Sequence, residues 1–351
     1  MDFTPTEEQA AVRDLAAQIF GDLSTHERLT AAGTGTDAEL WKALCGAGLP
    51  AAVEEIGLLG LVIALEEQGR TTAQVPFAAS CVYGILALTA HGTPMQRERL
   101  LPALRDGTAV ATGAFPASRR GGVQTTVQGE LSGVVPLVPW LRDATHVLVP
   151  DAERGLWLVR VADAEAEPVE TTAPWSAGRL TLNGTPGERV GGPGAYEDVL
   201  ATARTAFAGL QAGVCAGSLA RAVRHTTTRE QFGRPLSTNQ GVLLRAADAY
   251  MDTEAIRVTS YEAAWRRDAG LRYGTHALTA AWWAAEAGTR VVHAGQHLHG
   301  GLGADLEHPV HRHFLWGRQL DAHLGCGAEL LAELGELIVS EKQTGITGVG
   351  A

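Results

Sequence analysis

The chain is poor in cysteine and has no motif that uses it. Its four cysteines, Cys45, Cys81, Cys215 and Cys326, lie far apart in 351 residues, without the paired spacing of a metal site. An excess of positive charge is also missing. The formal net charge is −11, which argues against nucleic acid or an anionic membrane surface as the main partner. The richest apolar run, Ile56 to Leu65, is too short to cross a bilayer, and Met1-Asp2-Phe3-Thr4-Pro5 is a poor start for a secretory leader. These absences predict a protein of the reducing cytoplasm. Gly33-Thr34-Gly35-Thr36 is no phosphate loop, because no strand precedes it and no lysine follows. Twelve histidines include His293 and His297 at i, i+4 and a group at His308, His311 and His313. No carboxylate or thiolate spacing accompanies them, so no metal is expected, and His311 and His313 read as interface hydrogen-bonding groups.

What is present is a globular chain with 45% hydrophobic residues, long enough for two or three domains. Residues 1–108 read as helical. Thr6-Glu7-Glu8 opens a capped segment; Leu40-Trp41 and Leu44, then Leu61, Leu65 and Gln68 before a stop at Gly69, follow helical spacing; Gln96 to Leu104 is a further amphipathic stretch ended by Asp106-Gly107. Between 109 and 198 the period changes. Val123 to Val127, Val134 to Val138, His146 to Val149, Leu156 to Val161 and Arg179 to Leu182 are short β-type runs punctuated by Gly and Pro, which describes a small antiparallel β domain. From 199 to 351 four long helices are expected, roughly 199–228, 238–268, 274–295 and 309–342, packed as an antiparallel four-helix bundle. The expected class is therefore α+β, mostly α.

Two carboxyl-terminal phrases carry the chemistry. Arg229-Glu230-Gln231-Phe232-Gly233 is followed by Gln240, eleven residues after Arg229, and His299-Gly300-Gly301-Leu302-Gly303 leads on to His308-Pro309 and Arg312. A guanidinium makes charge-assisted, often bidentate bonds to pyrophosphate oxygens, and paired glycines let backbone amides approach a phosphate. Taken singly, Arg229 could be a solvated helix-end cation and Gly300-Gly301 a plain helix-end turn. Together, with Glu66-Glu67-Gln68-Gly69-Arg70 and Leu101-Pro102-Ala103-Leu104-Arg105-Asp106-Gly107, they resemble the acyl-CoA dehydrogenase family over nearly the whole length.

The resemblance implies FAD lying between two subunits, cradled by the β domain of one and clamped by its neighbour. The clamp would be Arg229, Phe232, Gln240 and the loop His297, Leu298, His299, Gly300 and Gly301. His297 stands where the family usually has glutamine, with Gln296 displaced by one. It also implies a carboxylate that removes the α-proton of an acyl-CoA thioester. Its two family positions hold Ala203, before Arg204, and Leu324, before Gly325. The flavin-facing phrases of the β domain depart as well: Phe115-Pro116-Ala117-Ser118-Arg119-Arg120 replaces an acidic residue and proline followed by Gly-Ser-Asp, and Leu137-Val138-Pro139-Trp140 offers N5 neither hydroxyl nor amide proton. The amino-terminal part also lacks a usual glycine-rich stretch near 52–58.

The chain thus resembles the non-catalytic partner in α2β2 acyl-CoA dehydrogenases of actinobacteria that act on CoA thioesters of steroid side chains, sharing FAD with a homologous catalytic subunit. His308-Pro309-Val310-His311-Arg312-His313-Phe314-Leu315-Trp316 looks like that branch. Two alternatives stay open: a self-sufficient homomeric dehydrogenase with Asp321 as a relocated base, and a flavin-free scaffold of the same fold. Glu197 and Asp198 are expected to serve the dipole of the first bundle helix.

Overall fold

The computed structural model describes residues 3–117 and 122–346, with no side-chain description beyond 340. Helices α1 (Glu7–Leu23), α2 (His26–Ala32), α3 (Ala38–Gly46) and α4 (Leu49–Thr71) lead to α5 (Phe77–Ala79), a π-helical segment Ser80–Leu86, α6 (Ala87–His91) and α7 (Pro94–Arg105). The Thr6 side chain accepts from Gln9 N while the Gln9 side chain accepts from Thr6 N, and Thr93 and Gln96 repeat this capping box at α7.

α4 breaks at Gly57 and runs past the stop expected at Gly69. Gly57 has φ +70°, and the Asp268 carboxylate accepts from Leu58 N and Leu59 N, each at 2.8 Å, restarting the helix after the break. Gly69 does not stop the helix, which runs on to Thr71 before left-handed Thr72. Its role is packing: a Cβ there would lie 2.2 Å from the Leu210 carbonyl of the long helix Ala195–Thr228, so glycine lets two backbones touch.

The middle segment forms two four-stranded sheets from β1 (Ala111–Gly113), β2 (Gln124–Thr125), β3 (Glu130–Val138), β4 (His146–Pro150), β5 (Leu156–Arg160), β6 (Glu165–Pro168), β7 (Gly178–Pro186) and β8 (Glu188–Val190). Their orders are β1-β4-β5-β8 and β2-β3-β7-β6. The domain is not wholly antiparallel, since β1 pairs with β4 in parallel. The excursion through β2 and β3, which belong to the other sheet, returns the chain beside β1 in the same direction. Leu131, Val138, Val147, Val149, Val159, Leu180 and Leu182 fill the space between the sheets. Ser118, Arg119 and Arg120 lie outside the described residues.

The last segment holds α8 (Ala195–Thr228), a hairpin β9 (Glu230–Gln231) and β10 (Arg234–Pro235), then α9 (Gln240–Asp268), α10 (Gly274–Leu298), α11 (Val310–Leu320) and α12 (Gly327–Ile346). α8 starts four residues before the expected 199, so Glu197 and Asp198 lie in its first turn. The single helix expected over 309–342 is two, because residues 321–326 turn and Gly325 takes φ +119°. α8 is apolar and long enough to cross a membrane by composition, yet most of it is buried by α4, α9 and α10.

Candidate functional site

The outward edge is built where α8 and α10 end. Arg229 leaves α8 in an extended conformation, and Leu236 N donates to its carbonyl at 2.9 Å, closing a tight hairpin. The tip residues Phe232 and Gly233 have φ +55° and +74°, the handedness of a two-residue hairpin turn that normally carries Asn-Gly. Phe232 is bulky, left-handed and 100% exposed, an arrangement that costs on the order of 1 kcal/mol and gains no contact within the chain. Arg229 is exposed and, among the described residues, has no ion-pair partner. Gln240 opens α9, exposed, after Asn239 caps it through Gly241 N.

The rings of His225 and His299 stack 4.8 Å apart, so Arg229, one turn beyond His225, and the glycine turn after His299 share one end of the bundle. In that turn, Gly300–Ala304, a Cβ on Gly300 or Gly301 would meet nothing within 4 Å, whereas one on Gly303 would strike the Gln296 carbonyl at 2.3 Å. Gly303 is therefore a packing glycine, and Gly300 and Gly301 present bare backbone to open space. The displaced Gln296 turns inward and donates to Gly303 O at 2.9 Å, bracing the loop. His297 points out; Leu298 and His299 are buried, leaving their backbone as what they can offer a ligand.

His297 also borders a groove of about 650 Å³ between α9 and α10, with Arg245, Asp248 and Met251 on one wall and Arg290 and His293 on the other. Beside it α9 exposes Leu243, Leu244, Tyr250, Met251 and Val258 at roughly helical repeat. His293 and His297 gain no third ligand, for among the described residues no group of three His, Cys, Asp or Glu side chains could hold a metal.

The inward side is closed. Ala203 is 0% exposed and Leu324 5%, both within the main core. Arg204 ties the two positions together: it forms a bidentate pair with Glu333, both bonds 2.8 Å, and its guanidinium also lies 3.4 Å from Leu324 O. Around them runs a continuous seam of rings. Tyr196 stacks on Phe115 (5.6 Å), Phe115 on Tyr83 (5.2 Å), Tyr83 meets Phe207 (6.4 Å), Phe207 meets His323 (4.5 Å) and His323 meets Trp175 (5.7 Å). Trp140 and Trp316 close on Trp175 at 5.9 and 5.5 Å. Thr112, beside this region, donates to the Pro139 carbonyl at 2.5 Å. Burial pushes the His323 imidazole down to about 4, so it is neutral at pH 7, and its Nε2 is enclosed without a partner.

Comparison with known proteins decides the family. Profiles described as acyl-CoA dehydrogenase, N-terminal domain, and acyl-CoA dehydrogenase, C-terminal domain, match residues 6–108 and 191–328. The chain is 34% identical to "Acyl-CoA dehydrogenase FadE27" of Mycobacterium tuberculosis, covering 95% of this chain and 98% of that protein. The chain belongs to the acyl-CoA dehydrogenase family. A chain of the "Tcur3481-Tcur3483 steroid ACAD G363A variant" superposes with TM-score 0.90 at 40% identity, over 96% of this chain and 99% of that one. A chain of the ChsE4-ChsE5 complex from M. tuberculosis gives 0.91 at 32%, over 97% and 99%. Butyryl-CoA dehydrogenase of Megasphaera elsdenii, at 21% identity and TM-score 0.85, shares the fold.

For a member of this flavoprotein family, two further placements matter. Asp321 sits at the end of α11, where its carboxylate accepts from Thr289 at 2.7 Å and pairs with Arg318 at 2.8 Å. It faces α10 rather than the ring seam, because the chain turns instead of continuing as a helix to Leu324. His313 is not an interface group: it is buried, and its Nε2 lies 3.0 Å from Arg70 O at the end of α4. Asp198 does more than serve a helix end. Burial alone would raise its pKa, but bonds from His91 (2.8 Å) and Tyr273 (2.6 Å) bring it below the usual carboxylate value. The ring seam escaped the sequence reading, since its members come from six separate segments and each alone is an ordinary core aromatic.

Proposed function

We propose that this chain is the non-catalytic subunit of a heteromeric, FAD-dependent acyl-CoA dehydrogenase of the cytoplasm. In this reading it completes the FAD site of a homologous catalytic subunit, and the complex introduces an α,β double bond into acyl-CoA thioesters, of steroid side chains by likeness to the steroid ACAD complexes. The observation that carries it is the contrast between the two sides of the chain. On the outward side, exposed Arg229 and Phe232 lie at the same end of the bundle as the Gly300-Gly301 turn, whose backbone faces open space. On the inward side, the positions for a base are apolar and packed against rings.

The residues present suit FAD on the outward side only. Arg229 would hold the pyrophosphate, Gly300 and Gly301 would offer amides to it, Phe232 would cover a ring face, and Gln240 and His297 would bond polar edges. FAD bound there supplies the hydride acceptor for the partner's substrate. This chain contributes no group that moves the α-proton. The apolar stripe of α9, continuous with this end of the bundle, suits the surface of the partner.

The test is purification of the chain alone and with its homologous partner. The expected outcome is flavin and acyl-CoA oxidation in the complex and neither in the lone chain; a yellow, active homodimer would overturn the assignment. Arg229→Ala in the complex should weaken FAD retention by about 1–3 kcal/mol, on the order of fivefold to 150-fold.

A further inference from the structure

Three imidazoles join the ends of three helices around the glycine turn. His225 of α8 and His299 at the end of α10 stack with centroids 4.8 Å apart and planes 22° from parallel, and His308, just before α11, stands 5.0 Å from His299. Their hydrogen bonds fix where each carries its proton. His299 Nδ1 lies 2.7 Å from the Gly295 carbonyl, which only accepts, so Nδ1 is protonated and Nε2 is the titrating atom. His308 Nδ1 accepts from Val310 N at 3.3 Å, holding the first turn of α11. A proton on that nitrogen would set a donor against a donor.

The surroundings favour the neutral rings. Burial first lowers the pKa of all three; Arg229 adds to it at His225 and Arg221, then His225, at His308, whereas at His299 the Gly295 bond opposes burial and His225, His308 and then Arg221 add to it. His26 of α2 adds to this at His308, while Asp305 opposes it. His311 of α11 donates from Nδ1 to His308 O at 2.6 Å and is likewise held down, chiefly by burial. The sign follows from linkage. A histidine whose folded pKa lies below the unfolded value near 6.5 stabilises the fold above that pH, and the contribution is lost as pH falls through it.

We propose that the His225–His299–His308 cluster is a proton-sensitive latch, which when neutral holds the Gly300-Gly301 turn beside Arg229 and on protonation releases it. His299 is thus a positioning residue for the clamp, and its effect on FAD rests on the function proposed above. The experiment is hydrogen exchange, corrected for intrinsic rates, over residues 298–310 of the full-length chain at about pH 7.5 and about pH 5.5. The parent should lose protection there at the lower pH. The double variant His225→Phe/His308→Asn keeps a stacking ring and a side-chain oxygen able to accept from Val310 N, and should stay protected at both.

Unchanged protection of the parent at the lower pH, or equal loss in the double variant, would overturn the latch. If the double variant does not fold, His308→Asn alone and the NMR titration of His299 decide; titration at or above the ordinary value overturns it. FAD retention by the complex should fall over the same pH range. A turn that loosens while FAD stays bound leaves the latch standing and removes the clamp reading instead.

Discussion

Restoring the missing carboxylate should not restore an enzyme, and Ala203→Glu tests why. Ala203 is 0% exposed, one turn before Phe207 in α8, and its neighbour Arg204 is already committed to Glu333 and Leu324. One methylene and a carboxyl group must enter a filled core. Overpacking of this kind costs about 1–3 kcal/mol. The carboxyl has no free cation to pair with, so it is expected to stay protonated, its pKa raised from about 4.3 by up to roughly 3–5 units. Each unit is about 1.4 kcal/mol of lost stability once the pH lies above the raised value. A carboxyl with raised folded pKa destabilises progressively as pH rises from the unfolded value. The penalty should therefore be near the steric 1–3 kcal/mol at about pH 4 and exceed it by about 3 kcal/mol or more at about pH 8.

Urea unfolding of parent and variant at those two pH values measures the difference, with acyl-CoA oxidation assayed beside it using an artificial electron acceptor. A variant whose penalty is independent of pH, and which acquires flavin and turnover without a partner, would show that the seam opens to solvent. That would refute the claim that this cleft is sealed.

Two further perturbations probe how the fold is held. Asp268→Ala removes the acceptor for Leu58 N and Leu59 N at the break in α4, and should cost about 2–4 kcal/mol in chemical denaturation; less than 0.5 kcal/mol would mean the break needs no cap. His323→Phe keeps a ring between Phe207 and Trp175 while deleting a partnerless nitrogen, so it should stabilise by about 1 kcal/mol at neutral pH. Because His323 titrates near 4 in the fold against 6.5 unfolded, the gain in melting temperature should widen as pH falls below 6.5; a constant gain at all pH would contradict the burial argument.

How much could be seen beforehand depended on whether the signal was local. The cap at Thr6 and the long apolar periods of the bundle are written in neighbouring residues, and the helix–sheet–helix order was readable from them, whereas the capping box at Thr93 went unread. The short strands Ala111–Gly113, Glu165–Pro168 and Glu188–Val190 have little β-branched content and exist because longer strands present edges to them, so they were not readable. Gly69 was misread as a stop because a glycine that ends a helix and one that admits a neighbouring backbone look alike in sequence. The same limit applied to Asp321, whose direction depends on a turn at 321–326. The clamp phrases were legible as residues, but that Gln296 faces in and His297 out is a fact of the loop's geometry.

The asymmetry between the two sides also has an energetic reading. A ring seam that buries Tyr83, Trp140, Trp175 and Trp316 takes large apolar faces out of water, a gain set against the enclosed Tyr83 hydroxyl and Trp175 Nε1, which have no partner there. The clamp has no such gain. A left-handed phenylalanine in water, a guanidinium without a carboxylate among the described residues and a glycine at 301 with room for a side chain are neutral or unfavourable for the isolated fold, whereas Gly300, at φ +60°, is a glycine the turn itself requires. In the function proposed above, residues of that kind find their use outside the chain, because a cationic, aromatic surface with bare amides suits a phosphate-bearing, ring-containing ligand held by another subunit.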